Sequence, residues 1–433
     1  METKDTALNQ KLFETLADTS AEGDLSDHAS RHEAGSFLRH SASLAMTKTA
    51  DGLIDPKLVL AWMLTAVGAP AALTGLLVPV REAGALLPQL FTSGPIQRMA
   101  RRKWAWVGGS AVQGIAALGI AIAAVTLSGI AAGMTVVALL GVLALARSVC
   151  SVSYKDILGK TVGKSRRGSA TGLASSVSSA AVIVFALTLM FAWVPRFSLV
   201  VGAIGLASLL WIAAAALFST LREEPTESAE AAGGWREAIG QMRVLREDGQ
   251  LVRFIVARGL LVGTALAPPY LVILASQSGQ AAFDALGALV LASSIASFLS
   301  SYIWGRLADR SSRQVLMLAG LAAALALGLA LLAAWAGVMG TFWAAPVILF
   351  FLMISYNGVR QGRSTYLVDM SPQDARAQYT AVSNTVIGIV LLGSGIFGAI
   401  ASSFGAELTI ALFAVMSIGG AIAAWTLDEV QKG

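Results

Sequence analysis

A single cysteine, Cys150, stands in a chain of 433 residues, which excludes an intramolecular disulfide and any cysteine-based metal cage. Histidine is nearly as scarce. His28, His32 and His40 all lie near the start of the chain, so a membrane-embedded enzyme with a histidine base is disfavoured. His28 and His32, four residues apart, read as solvated side chains rather than as metal ligands. Charged residues make up only 13%, against ~25% in soluble globular domains. Segments of alternating polarity about ten residues long, which a transmembrane barrel requires, are missing. So is a phosphate-binding loop: Gly159-Lys160-Thr161-Val162-Gly163-Lys164-Ser165 has Leu158 where the rule needs glycine, and no strand precedes it. No cofactor and no metal is therefore expected.

Apolar sequence is what the chain has in abundance. Hydrophobic residues reach 56% and mean hydropathy is +0.70, the profile of an integral membrane protein. Crossing the hydrocarbon takes roughly 20 predominantly apolar residues, and with no water there to satisfy the backbone each run must be helical. Spans are predicted near 43–64, 73–95, 104–127, 130–153, 169–193 and 198–221, then near 254–275, 283–304, 315–336, 342–363, 379–401 and 407–427. Residues 1–40 are polar and lack the order of a signal peptide, which predicts a solvated tail. The organisation expected is this tail, a helical bundle over 41–221, a polar linker over 222–252 and a second bundle over 253–428. Within the linker, Trp235, Ile239, Met242 and Leu245 recur at helical spacing, as in an amphipathic surface helix.

The first span is the weakest, because it carries Lys48, Asp51, Asp55 and Lys57. Two patterns support it. Shifting the chain by 211 positions places Gly52 on Gly263, Gly68 on Gly279, Gly94 on Gly305 and Arg102 on Arg313, so the weak first span corresponds to the strong seventh. Basic residues also cluster after every second span: Arg98 to Lys103, Lys155 to Arg167, Arg222 to Arg253, Arg306 to Arg313, and Arg376. This alternation is a topology signal rather than a nucleic-acid footprint, and it places both termini in the cytoplasm only if the number of spans is even. The fold class expected is all-α integral membrane, twelve transmembrane helices in two six-helix pseudo-symmetric repeats.

That arrangement resembles the major facilitator superfamily of bacterial-type transporters. The stretch Gly305-Arg306-Leu307-Ala308-Asp309-Arg310-Ser311-Ser312-Arg313 is similar to the family's loop between helices 8 and 9, matching at Gly305, Asp309, Arg310 and Arg313, with Ser312 replacing a glycine. The first-half counterpart keeps Gly94 and its basic end but has Arg98 where the family carries an acid. The resemblance implies a monomeric secondary carrier in the cell inner membrane, with Gly305, Asp309, Arg310 and Arg313 as a cytoplasmic gate. It also implies that helices 1, 4, 7 and 10 line a central cavity. Span 5 lacks the glycine-proline motif frequent in drug/proton antiporters of the superfamily.

Ionisable residues inside a membrane cost about 2.5–3.5 kcal/mol each on insertion scales, so they are functional candidates. Asp51, Asp55 and Glu82 are the candidates for proton coupling, because a desolvated carboxylate can titrate. Lys48, Arg81, Arg147, Arg258 and Arg360 could receive an anionic or zwitterionic small solute, and Tyr270, Tyr356 and Asn357 could stack on it or hydrogen-bond to it. Internal pairing, of Lys48 with Asp51 or Asp55 and of Arg81 with a neighbouring carboxylate, is the structural alternative. Pro56 in span 1 and Pro268-Pro269 in span 7 predict broken helices near mid-membrane. A non-transporting sensor or assembly protein on the same scaffold remains an open alternative from sequence.

Overall fold

The protein's structure, a computed structural model, describes residues 13, 27–191, 194–225, 242–308, 310–372 and 375–431. Among these residues it is helical throughout, with no strand. The first half contains α1 (Asp27–Leu53), α2 (Val59–Ala66), α3 (Ala71–Leu86), α4 (Gln89–Gln97), α5 (Lys103–Thr126), α6 (Gly129–Thr161), α7 (Arg167–Phe191) and α8 (Arg196–Ser219). The second contains α9 (Gly249–Leu260), α10 (Gly263–Ser278), α11 (Leu286–Ala308), α12 (Ser312–Trp335), α13 (Ala344–Met370), α14 (Arg376–Gly393), α15 (Ile396–Phe404) and α16 (Ala406–Trp425). The pairs α1/α2, α3/α4, α9/α10 and α14/α15 are each one rod with a break, so the described residues form twelve rods.

Nine of these rods are long and apolar enough to span a membrane by composition alone, among the described residues. The other three are α1/α2, α3/α4 and α13, and they carry the charges described below. The outer faces are apolar: Leu318, Leu321, Leu325, Leu329 and Leu332 form an exposed stripe along α12 at helical spacing, the reverse of a soluble helix and the pattern a lipid-facing helix needs.

Packing repeats between the halves. α5 lies against α6 and α8, just as α12 lies against α13 and α16. α3 packs on α6 as α11 packs on α13. Between the halves, α3 runs along α14 and α15, α7 along α11, and α10 against α2 and α3. The face bearing residues 27–33 and 428–431 is called the terminal face here, and the opposite one the distal face.

Each break has a local cause. In the first rod, Pro56 lacks an N–H and biases Asp55 away from helical geometry. Asp55 then accepts from the backbone N–H groups of Lys57 at 2.6 Å and Leu58 at 3.1 Å, which restarts the chain as α2. In the seventh rod the expectation of a break at Pro268-Pro269 is corrected. Both prolines lie inside α10, and the break falls upstream at Leu261–Val262. The carbonyls of Thr264 and Ala265, which the two missing donors leave unpaired, fall within α10, whereas at the break the N–H groups of Thr264 and Ala265 bond three residues back, to Leu261 and Val262.

The tail expectation also needs correcting at its inner end. α1 starts at Asp27, well ahead of residue 41, and its polar residues are used rather than solvated. Glu33 pairs with Arg166 at 2.6 Å and accepts from the Gly163 N–H at 2.8 Å. Phe37 and His40 are fully buried, with His40 bonded to Thr161 at 2.8 Å, and His32 touches Arg222 at 3.2 Å. Trp235 and Ile239 of the expected linker helix lie outside the described residues; only a short helix, Val244–Glu247, is seen there.

Candidate functional site: a charged cavity between the halves

Breaking the first two rods brings their charges to one place at mid-molecule. A cavity of about 260 Å³ is lined by Asp51, Asp55, Pro56, Lys57, Arg81, Glu82, Ala85 and Arg147 from the first half. Tyr356, Arg360 and Arg363 from α13 close its other side. Asp51 is clamped: Arg81 Nη2 lies 2.5 Å from its Oδ1, and Arg147 donates to its Oδ2. This fixes α1, α3 and α6 to one another. It also accounts for Arg147 without recourse to snorkelling at a membrane boundary.

The remaining carboxylates differ from Asp51 and from each other. Asp55 is satisfied by the backbone N–H groups that restart α2. Glu82 has no hydrogen bond or ion pair among the described residues, although it lines the cavity together with Lys57, Arg81, Arg147, Arg360 and Arg363. Lys57 sits over the Tyr356 ring at 3.6 Å, a contact between the halves. Lys48 turns from the carboxylates and donates to Ser175 Oγ at 2.5 Å, so the expected pairing with Asp51 or Asp55 is replaced by a bond to α7.

A second cavity of about 330 Å³ shares Asp51 and Arg147 with the first. It continues along Lys48, Thr47 and Leu44 of α1 and Ser151, Tyr154 and Lys155 of α6, which leads toward the terminal face. At the distal face the halves meet closely. Trp62 stacks on Phe283 at 5.1 Å and donates its Nε1–H to the Phe283 carbonyl at 2.8 Å. Arg196 faces Asp284 at 3.4 Å, and the Ala72 N–H donates to Ser402 Oγ at 2.8 Å. A Cβ on Gly398 would stand 2.7 Å from the Ala72 carbonyl oxygen, so α3 and α15 approach this closely only because that residue is glycine.

The other sequence candidates fall in several places. Arg258 donates to Ser383 Oγ at 2.7 Å and Asn384 Oδ1 at 3.0 Å, and it shares a narrow cleft with Glu82, Arg360 and Arg363. Asn357 lines a further cavity of about 280 Å³ with Ser300, Arg360 and Gln361. Tyr270 does not join the charged group: it is 1% exposed, edge-on to Phe413, against Gly75 in the distal closure. Sequence reasoning left out Arg363 and Lys57. Arg363 was findable, since it follows Arg360 by three residues and so shares its face of α13.

Of the loop motif, Gly305, Arg310 and Arg313 are described and Asp309 lies outside the described residues. Arg313 donates to the Leu427 carbonyl at 3.1 Å, and Ser311 Oγ donates to Glu429 Oε2 at 2.6 Å. The first half repeats the device: Glu223 accepts from the N–H groups of Arg102 at 3.0 Å and Lys103 at 2.8 Å, at the start of α5. Asp156 and Asp369, near the ends of α6 and α13, complete the two clusters through Arg102 at 2.5 Å and Gln431 at 2.8 Å. Each loop is thus tied to its own half. The carboxylates that hold them lie some 120 residues away in sequence, which is why no local motif shows them.

Two related helical halves closed at one face over a shared charged cavity have the build of a secondary transporter. Comparison with solved structures agrees. A point mutant of the nucleoside transporter NupG matches with TM-score 0.70 at 12% identity, over 90% of this chain and 99% of that one. A D-xylose-proton symporter matches with TM-score 0.69 at 12% identity, over 92% and 98%. A POT family transporter in complex with a thioalcohol conjugated peptide matches with TM-score 0.68 at 9% identity, over 89% and 94%. No curated protein matches the sequence. Residues 259–432 match the model of the Major Facilitator Superfamily. The match is confined to the second half, while the fold of these transporters extends over about nine-tenths of the chain.

Proposed function

We propose that the protein is a proton-coupled secondary active transporter that moves a compact polar solute by alternating access. It works as a monomer in the cell membrane, with both termini in the cytoplasm. On this topology the terminal face is cytoplasmic, so the structure is closed outside and its cavities lead inward. One observation carries the reading: a mid-molecule cavity built by both halves in which Glu82 is the carboxylate left without a donor. Asp51 is held by two arginines and Asp55 by two backbone amides, so neither is free to take up and release a proton in this state. Glu82 faces the cations of both halves, so its protonation changes the attraction between them. Proton symport by the structurally similar D-xylose carrier is consistent with this coupling.

Reconstitution into vesicles holding a pH-sensitive dye tests the proposal. Addition of the right solute from a broad panel acidifies the lumen in the wild type, while Glu82→Gln retains solute exchange without proton movement. Solute-driven proton entry unchanged in Glu82→Gln would remove the coupling role. The sensor alternative predicts no solute flux from any member of the panel.

A further inference from the structure

Charge does not balance in the central cavity. Lys57, Arg81, Arg147, Arg360 and Arg363 outnumber Asp51, Asp55 and Glu82 there by two, and the adjoining cleft adds Arg258. Unmatched positive charge in a membrane interior is costly, and the first half has committed two of its three cavity carboxylates. Asp51 is shared by Arg81 and Arg147, which leaves that cluster one positive charge in excess, and Asp55 is committed to the amides of Lys57 and Leu58.

The second half has no such relief. Among the described residues neither Arg360 nor Arg363 forms an ion pair or a side-chain hydrogen bond, and both line the cavity and the cleft that hold Glu82. Three residues apart on α13, they lie on one helix face. A guanidinium fork fits two oxygens of a carboxylate or phosphate at once. A cationic or zwitterionic solute would find only Glu82 to receive its ammonium, already facing Lys57, Arg81, Arg147 and Arg363.

Beyond Arg360 the surroundings become neutral and polar. The 280 Å³ cavity that Arg360 shares with Asn357, Gln361 and Ser300 is lined in part by Ser300, a residue 1% exposed whose hydroxyl has no hydrogen-bond partner. A buried hydroxyl without a partner calls for a donor or acceptor from a ligand or water. The central cavity, at about 260 Å³, lies just below the ~300–1,000 Å³ common for ligand sites, so the cargo is compact.

From these observations we infer that the cargo is a small oxyanion bound by Arg360 and Arg363, with its polar remainder directed toward Ser300, Asn357 and Gln361. The inference rests on the transporter reading and narrows it to a substrate class. Glu82 is then the resident counter-ion that the cargo replaces: as the anion engages the arginines, Glu82 takes a proton from the aqueous side and the charge of the site is conserved. The groups around Glu82 in this exchange are Asp51 on α1, Asp55 and Lys57 after it, Arg81 beside Glu82 on α3, Arg147 on α6, Arg258 on α9, and Tyr356, Arg360 and Arg363 on α13.

Binding to the purified full chain in detergent, followed by tryptophan fluorescence or titration calorimetry, tests the class independently of transport. The probes are inorganic phosphate, succinate, gluconate, neutral glucose and cationic choline. Phosphate binding alone points to a phosphate head, succinate or gluconate binding to a carboxylate; each supports the inference. Binding of gluconate without glucose, which has a similar hydroxylated chain, isolates the charge. Arg363→Gln should weaken the oxyanion at least tenfold and Arg363→Lys, which keeps the charge, by less. Glu82→Gln should tighten it at neutral pH. Melting temperatures without anion should stay near wild type for both arginine variants, since no ion pair is lost. Binding of glucose or choline with none of the three oxyanions, binding of no probe at all, or oxyanion affinity unchanged in Arg363→Gln would overturn the inference. Oxyanion binding without flux in vesicles would keep the site and sink the transporter reading. Flux of glucose or choline alone would do the opposite.

Discussion

At the scale of single residues, three intramembrane carboxylates that look alike in sequence have different surroundings. Asp51 bridges Arg81 and Arg147, so Asp51→Asn leaves two guanidinium groups facing each other. The site is partly open to the cavity, and water there screens the loss to about 2 kcal/mol, below the ~3–5 kcal/mol of a fully buried pair. Thermal unfolding in detergent should register this destabilisation, and an unchanged midpoint would mean the clamp carries little stability. Asp55 acts as a cap. Asp55→Ala should cost about 1 kcal/mol, and Asp55→Asn, which retains an acceptor, should recover most of it. Glu82→Gln removes counter-charge from the cationic cavity but no hydrogen bond, so it should lower the melting midpoint by less than Asp51→Asn. The sequence could show that these acids were intramembrane; it could not show which were already occupied, since their partners sit 30 and 96 residues away for Asp51.

At the scale of elements, breaks in the helices decide what each rod does. The distal closure depends on the approach of α3 to α15 at Gly398 and on the stack of Trp62 and Phe283. Gly398→Leu places a side chain where the Ala72 backbone lies, so the distal face should open. In a chain with Cys150→Ser and Ala282→Cys, at a fully buried position beside Phe283 that leaves the stack intact, a membrane-impermeant thiol reagent should then label several-fold faster than without the glycine substitution. Equal labelling would show that the closure does not depend on this contact. Sequence reading placed most rods within a few residues, because apolar length is a local property. It placed the seventh-rod break too late, because Pro268 and Pro269 are accommodated inside α10 and the break falls at Leu261–Val262, which no proline marks. It stopped α1 short, because a polar helix packed on loops has no hydropathy signature.

For the whole molecule, the same reading explains which rods were hard to find. The first rod carries Lys48, Asp51, Asp55 and Lys57 and α13 carries Arg360 and Arg363, while α3/α4 is divided by its break into helices of 16 and 9 residues. These three rods line the charged cavity, and the internal repeat supports the weak first one. Arg363 and the capping acids Glu223 and Glu429 escaped notice for different reasons: the first by oversight of helical spacing, the others because they act across some 120 residues. Two halves of one build, each tying its terminal-face loop to itself, can move as units about the cavity between them.

The central claim is that the halves rock about that cavity, and paired spin labels read it directly. Lys155 and Arg376 are exposed at the terminal face on opposite halves, and Leu127 and Gln280 at the distal face. With a cysteine at each pair in turn and Cys150→Ser, double electron–electron resonance should give two distance populations at each face. Lowering the pH should lengthen the distal distance as the terminal one shortens, and Glu82→Gln should mimic low pH. A single distance at both faces, unmoved by pH and by Glu82→Gln, would contradict the account.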